Sequence, residues 1–225
     1  MGIARNIEEL KARVREIAPG AQLLAVSKTF GTDAVREAYR VGQRAFGENY
    51  LQEALGKIEE LRDELPGLSW HFIGALQSNK TRAVAERFDW VQSVTSLRLA
   101  RRLSEQRPGN LPKLNVLVEV NVDASPTKSG VAPESLMALL EGACGLPGIA
   151  LRGLMAIPDP APEEELRRKF LRMKALFDEA NAAGFALDTL SMGMSADFEL
   201  ALACGSTMVR IGTAVFGARS YPSKA

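Results

Sequence analysis

Two hydrophobic patterns alternate along this chain from end to end. One is a short, nearly unbroken apolar run, as in Leu23–Val26 or within KLNVLVEVNV; the other sets apolar residues three and four apart among charged ones. Runs of the first kind read as strands buried on both faces, as in parallel sheets, and the second kind as amphipathic helices. The spacing predicts a helix over Ile7–Val14, a strand in QLLAVSK, and a helix in TDAVREAYRVG with Thr32 or Asp33 as N-cap and Gly42 as stop. A short strand follows in RAFGEN, then a helix in YLQEALGKIEELRDEL that stops before Pro66 and Gly67. The alternation continues through the strands SWHFIG, WVQSV, KLNVLVEVNV, IALRGLMAI, LDTLSMG and TMVRIG. Between them lie the helices NKTRAVAERF, SLRLARRLSEQR, PESLMALLEGAC, PEEELRRKFLRMKALFDEANAAG and SADFELALAC.

About eight strands, each followed by a helix or at the end by a short tail, predict parallel βαβ units. Eight such units in 225 residues predict an α/β fold of one closed (β/α)8 TIM barrel, with residues 1–225 as a single domain. An open doubly wound sheet is the alternative. It would carry a Gly-rich dinucleotide turn after the first strand, and SKTFG is not one.

Composition narrows the function classes. With 28 Lys plus Arg against 27 Asp plus Glu, the net charge of +1 gives no global field for nucleic acid or an anionic membrane. Cys144 and Cys204 lack a CxxC spacing, which fits a reducing compartment. The N-terminal stretch lacks the apolar centre of a signal peptide, and Asn6 spoils a myristoylation signal at Gly2, so a cytoplasmic protein is expected. One histidine and two isolated cysteines argue against a metal site. His71 has no GxSxG elbow to serve and reads as a packed or hydrogen-bonded residue of the third strand; GALQSNKT lacks the GxxxxGK[ST] of a P-loop.

The chemistry collects where a parallel barrel keeps its active site, at the C-terminal strand ends. MGMSADFE and RIGTAVFG each place glycine and a hydroxyl residue there, around Ser195 and around Gly212 and Thr213. Backbone N–H groups at such handovers bind phosphate, and barrels commonly hold one after strands seven and eight. Ser195 as a plain N-cap and Gly212 as a plain tight turn are the competing readings. Lys28 ends the first strand. A desolvated lysine has a lowered pKa, and its neutral amine attacks aldehydes to give a Schiff base; the competing reading is a lysine that snorkels to the barrel mouth. Opposite a phosphate site, a phosphorylated aldehyde would use both features, and pyridoxal 5'-phosphate (PLP) has both handles. Arg210, two residues before Gly212, faces the interior by strand alternation. It would hydrogen-bond the pyridine nitrogen and leave it unprotonated, which weakens the ring as an electron sink. A salt bridge to Glu119 or Asp123 is the other reading of Arg210.

AVSKT, FGENYLQE, WHFIGALQSNKTR, KSG, LRGLMAI, LSMGMSADFELA and VRIGTAVFG resemble the YggS/PROSC family, the pyridoxal phosphate homeostasis proteins. The resemblance runs in order from Leu24 to Gly217, with one departure: Ala75 stands where the family carries proline. It implies a barrel like the N-terminal domain of alanine racemase, with PLP covalently bound at Lys28. It implies that Ser195 and the backbone near Gly212 and Thr213 hold the phosphate, that Arg210 faces the pyridine nitrogen, and that Asn49 lies beside the ring. Asn49 otherwise reads as the N-cap of the next helix.

Alanine racemase adds a β-domain whose tyrosine serves the opposite face of the cofactor. Here the sequence closes in ARSYPSKA, with Tyr221 in that tail and Tyr39 and Tyr50 expected on helices. The resemblance therefore implies a carrier with no catalytic residue. It would be a monomer that holds PLP and buffers or delivers it to apo-enzymes in vitamin B6 homeostasis. A slow PLP-dependent amino-acid racemase or lyase is the alternative. Lys128 or Lys80 would then meet the substrate carboxylate; each otherwise reads as a solvated lysine, and Lys128 could instead guide the phosphate.

Overall fold

Every predicted strand forms, and most stop short of the apolar run that predicts them. In the computed structural model, which describes residues 2–125 and 127–218, the strands are β1 (Gln22–Val26), β2 (Ala45–Glu48), β3 (Ser69–Phe72), β4 (Trp90–Val94), β5 (Leu114–Glu119), β6 (Ile149–Met155), β7 (Thr189–Ser191) and β8 (Met208–Ile211). QLLAVSK thus leaves the ladder after Val26, and LDTLSMG keeps three residues. The remainder turns outward into the loops that form the mouth. All pairings are parallel and run in chain order, and β1 pairs with β8 from Gln22↔Met208 to Ala25↔Ile211, which closes the barrel and excludes the open sheet.

Helices separate the strands: α1 (Ile3–Ile17) before β1, then α2 (Thr32–Arg40), α3 (Leu51–Leu61), α4 (Thr81–Arg87), α5 (Leu97–Gln106), α6 (Leu136–Cys144), α7 (Glu163–Ala182) and α8 (Phe198–Ala203). A short helix α9 (Thr213–Phe216) follows β8, where only a tail was expected. Gly42 ends α2 with φ at 78°, as its place predicts, but the N-cap of α2 is Gly31, one residue before Thr32. Tyr50 is not on a helix; it is the N-cap position before α3.

Strand alternation sorts side chains onto two faces. Outward, Leu23, Ala25, Phe46, Trp70, Phe72, Val91, Val116, Val209 and Ile211 pack under the helices in one apolar cluster, and Val118, Leu154 and Leu190 join a second with α6 and α7. Inward, the apolar cluster is small: Leu24, Val26, Ile73 and Met208. The rest of the interior includes buried polar side chains, among them His71, Gln92, Ser191 and Arg210.

Candidate functional site

The site residues expected from the sequence lie on four adjacent strands, in the order β7, β8, β1, β2. Ser195 follows β7, Arg210 lies in β8 with Gly212 and Thr213 after it, Lys28 follows β1, and Asn49 follows β2. All six are at the C-terminal mouth. Val26 pairs with Gly47, so Lys28 and Asn49 leave the barrel at the same level. Ser27 turns its hydroxyl outward to Glu48 at 2.6 Å, and Val26 before it faces inward. Lys28 itself is half-buried.

The competing readings separate here. Ser195 does not cap α8; the N-cap is Asp197, whose Oδ1 accepts from the Met194 amide at 2.6 Å. The Ser195 hydroxyl instead accepts from Ala214 N at 3.4 Å, so it reaches the first turn of α9 beside Gly212 and Thr213. Gly193 and Gly212 keep this corner tight. A Cβ on Gly193 would stand 2.6 Å from the Ala201 Cβ, and one on Gly212 would stand 3.3 Å from the Val26 carbonyl oxygen. Asn49 does not cap α3 either. Its Oδ1 is buried and has no hydrogen-bond partner among the described residues. Such an orphan acceptor costs free energy unless a donor arrives. Its backbone is wedged in place: a Cβ on Gly74 would come 2.2 Å from the Asn49 carbonyl oxygen, and the Gly74 carbonyl accepts from Ser93 Oγ at 2.6 Å.

Arg210 forms no ion pair with Glu119 or Asp123 among the described residues. Its Nη1 donates to Ser191 Oγ at 2.7 Å and its Nη2 to the Ala156 carbonyl at 2.9 Å. These use two of its five N–H groups. Burial pulls its pKa down to about 10, with Asp197 and Glu119 opposing from a distance, so it stays charged at neutral pH. Ser191 Oγ donates in turn to Gln92 Oε1 at 2.7 Å, and Gln92 Nε2 lies 3.0 Å from His71 Nδ1. The amide can only donate there, so Nδ1 is the acceptor and the ring proton sits on Nε2, 3.3 Å from Ser69 Oγ. His71 stacks on Trp90, and burial holds its pKa down to about 3. A directed file of hydrogen bonds thus runs up the barrel axis and fixes the arginine. Sequence reasoning placed Arg210 but missed Gln92 and Ser191 as its supports. A glutamine inside the apolar run WVQSV was the available signal.

Glu119 is buried at the same mouth, where burial raises its pKa against the Ser129 hydroxyl at 3.1 Å and the nearby charges of Arg210 and Lys128. Lys128 is not a solvated loop lysine. It bonds Asp123 Oδ2 at 2.7 Å, Asp159 Oδ1 at 2.9 Å and the Ile157 carbonyl at 2.7 Å, tying the loops after β5 and β6 together. Of the tyrosines, Tyr39 donates to the Pro66 carbonyl on the far side of α2, and Tyr50, 55% exposed, stands on the rim next to Asn49. Tyr221 lies outside the described residues. Among the described residues no group of three His, Cys, Asp or Glu side chains could hold a metal ion, and no helix is long and apolar enough to cross a membrane.

The mouth therefore offers an amine, a hydroxyl with backbone N–H groups at a helix start, a charged arginine with donors to spare and an unpartnered amide oxygen. That donor set fits a phosphorylated heteroaromatic aldehyde. The family described as alanine racemase, N-terminal domain, matches residues 2–220. A pyridoxal phosphate homeostasis protein of Pseudomonas aeruginosa is 56% identical over 99% of this chain and 98% of its own length. PipY of Synechococcus elongatus, in a structure with PLP bound, is 40% identical and superposes with a TM-score of 0.87 over 96% of this chain and all of its own. Alanine racemase of Corynebacterium glutamicum, at 19% identity, shares the fold with a TM-score of 0.73; 60% of its chain is covered.

Proposed function

The chain belongs to the pyridoxal phosphate homeostasis proteins of the alanine racemase N-terminal domain family, and from that premise we propose that it binds PLP at this mouth, holds it as a Schiff base on Lys28, and buffers or delivers it. The observation that carries the proposal is the convergence of Lys28, Asn49, Ser195, Arg210, Gly212 and Thr213 on four neighbouring strand ends. The PLP-bound PipY relative supports the choice of ligand.

The residues divide the work. The Ser195 hydroxyl and the N–H groups at the start of α9 would receive the phosphate. Arg210 would donate to the pyridine nitrogen; still charged with its pKa near 10, it keeps its own proton and leaves that nitrogen without one. Asn49 Oδ1 would gain the donor it lacks. The Lys28 amine nitrogen would bond the aldehyde carbon with loss of one water, and the return of that water would free both amine and aldehyde. When bound, PLP supplies an electron sink, and an arginine at its ring nitrogen weakens that sink. Holding and release follow from this arrangement more directly than turnover does. Lys128, one of the two lysines that could meet an amino-acid carboxylate, already pairs with Asp123 and Asp159, which favours the carrier reading.

The test is to load the protein with PLP, remove the free cofactor, and mix it with an apo-enzyme that requires PLP, alongside an assay of amino-acid racemisation and cleavage. Recovery of the recipient's activity with no change in the amino acid is the expected outcome. Steady turnover of an amino acid by the loaded protein would replace the carrier reading with the racemase or lyase reading.

A further inference from the structure

Lys28 is bounded by two peptide groups, and both are gripped by one cluster centred on the buried Lys57. Lys57, on α3, is 5% exposed, and its Nζ has three close oxygens: the Ser27 carbonyl at 2.8 Å, Glu48 Oε1 at 2.8 Å and Glu53 Oε1 at 2.6 Å. An ammonium has three protons, so this set uses them all. Glu48 Oε1 also accepts from the Ser27 hydroxyl at 2.6 Å, and Glu53 Oε1 accepts from the Thr29 amide at 2.6 Å. The Ser27 carbonyl belongs to the peptide before the Lys28 Cα, and the Thr29 amide to the peptide after it. Anchoring both peptides restrains φ and ψ of Lys28, and so the direction in which its side chain leaves the backbone. Thr29 is meanwhile held at a φ of 69°, a region that non-glycine residues seldom occupy. The cluster stands behind the sheet, on the outward side, where Ser27 turns its hydroxyl.

We infer that Lys57, Glu53 and Glu48 are the positioning residues of Lys28: they aim its amine into the mouth from behind the barrel wall and thereby set how fast PLP is bound and released. The inference rests on the proposed PLP site, but its test does not depend on PLP alone. A misplaced reacting group costs up to about a hundredfold in rate, because alignment is lost while the chemistry is unchanged.

The experiment compares the parent with Glu53→Ala, Glu53→Gln, Lys57→Met and Lys57→Arg. In the cofactor-free protein, two signals are read: hydrogen exchange of the Thr29 amide, and the rate at which formaldehyde with cyanoborohydride methylates Lys28, located by peptide mass analysis. In the loaded protein, the rate of PLP loss to a scavenger is read. Glu53→Ala alters a partly exposed side chain and leaves Glu48 and Lys57 paired. It is expected to speed Thr29 exchange and change both Lys28 labelling and PLP loss by about tenfold or more. Glu53→Gln keeps an acceptor for the Thr29 amide and is expected to restore most of the parent behaviour. Lys57→Met should exceed Glu53→Ala, and Lys57→Arg should not rescue, since a planar guanidinium cannot copy the three-way grip. Folded Glu53→Ala protein with labelling and release within about twofold of the parent would overturn the inference. Should the parent fail to take up PLP at Lys28, the site reading falls, while the exchange and labelling in cofactor-free protein still decide whether the cluster aims the lysine.

Discussion

Compare Phe46 with Gln92. Both are fully buried strand residues of the same barrel, on opposite faces of the sheet. Phe46 points outward under the helices and packs near Trp70, ring centroids 5.7 Å apart. Gln92 points inward and spends its amide on His71, Ser191 and the Met208 sulfur. The outer face is stabilised by apolar area removed from water, which tolerates changes of shape as long as volume is kept. The inner face is held by a polar file in which each donor has one acceptor, so a single deletion strands its neighbours. Folding free energy comes mainly from the first, and the aim of Arg210 comes from the second.

The largest expected effect lies on the outer face. Phe46→Ala should lower the unfolding free energy by about 3–5 kcal/mol in a denaturant titration, yet leave PLP bound per folded molecule unchanged. Lost binding in folded protein would break the division between faces. Next comes the inner file. Gln92→Leu takes the acceptor from the Ser191 hydroxyl proton and the donor from His71 Nδ1 and should cost about 1–3 kcal/mol. Unlike Phe46→Ala it should also weaken PLP binding, by about tenfold, because Arg210 loses its brace; an equilibrium titration of folded protein reads this. Per pH unit, the effect of acid is smaller. His71 has its pKa held down to about 3 in the fold against about 6.5 in the unfolded chain. Between those values the unfolded chain binds a proton that the folded one refuses, so stability falls as pH falls, by at most about 1.4 kcal/mol per pH unit from this group. His71→Asn should flatten that part of the stability profile, and an unchanged slope would show that His71 is not the group responsible. The smallest effect is at the surface: Arg5→Ala breaks an exposed pair with Glu9 and should leave the denaturation midpoint within experimental scatter.

The barrel was legible because eight apolar runs, each followed by a helical pattern or the final turn, leave few other parallel arrangements. Strand ends were less so: Ser27, Lys28 and Thr29 continue the QLLAV run in sequence but lie beyond the end of β1, where Ser27 and Thr29 bond side chains of β2 and α3. Lys28, Ser195, Arg210, Gly212 and Thr213 were readable from residue type and place at a strand end. Asn49 was not, because an asparagine before a helix looks like a cap, and only its unpartnered Oδ1 tells otherwise. Lys57 was hidden by its neighbourhood. With Glu53 four residues earlier it has the spacing of an ordinary surface pair. Yet Ala54, Ile58 and Leu61 put it on the buried stripe of α3, and that spacing was the signal to heed. Lys128 had no such signal, since its partners Asp123 and Asp159 lie on two different loops.

The central claim is that Lys28 holds PLP covalently, and one measurement addresses it most directly. Protein incubated with PLP is reduced with borohydride, digested, and mapped by mass spectrometry, with Lys28→Ala treated in parallel. The account predicts a reduced pyridoxyl group on the peptide carrying Lys28, and loss of the yellow colour on reduction, with neither in the variant. A colourless protein with no modified Lys28, or a label on other lysines that persists in Lys28→Ala, would contradict it.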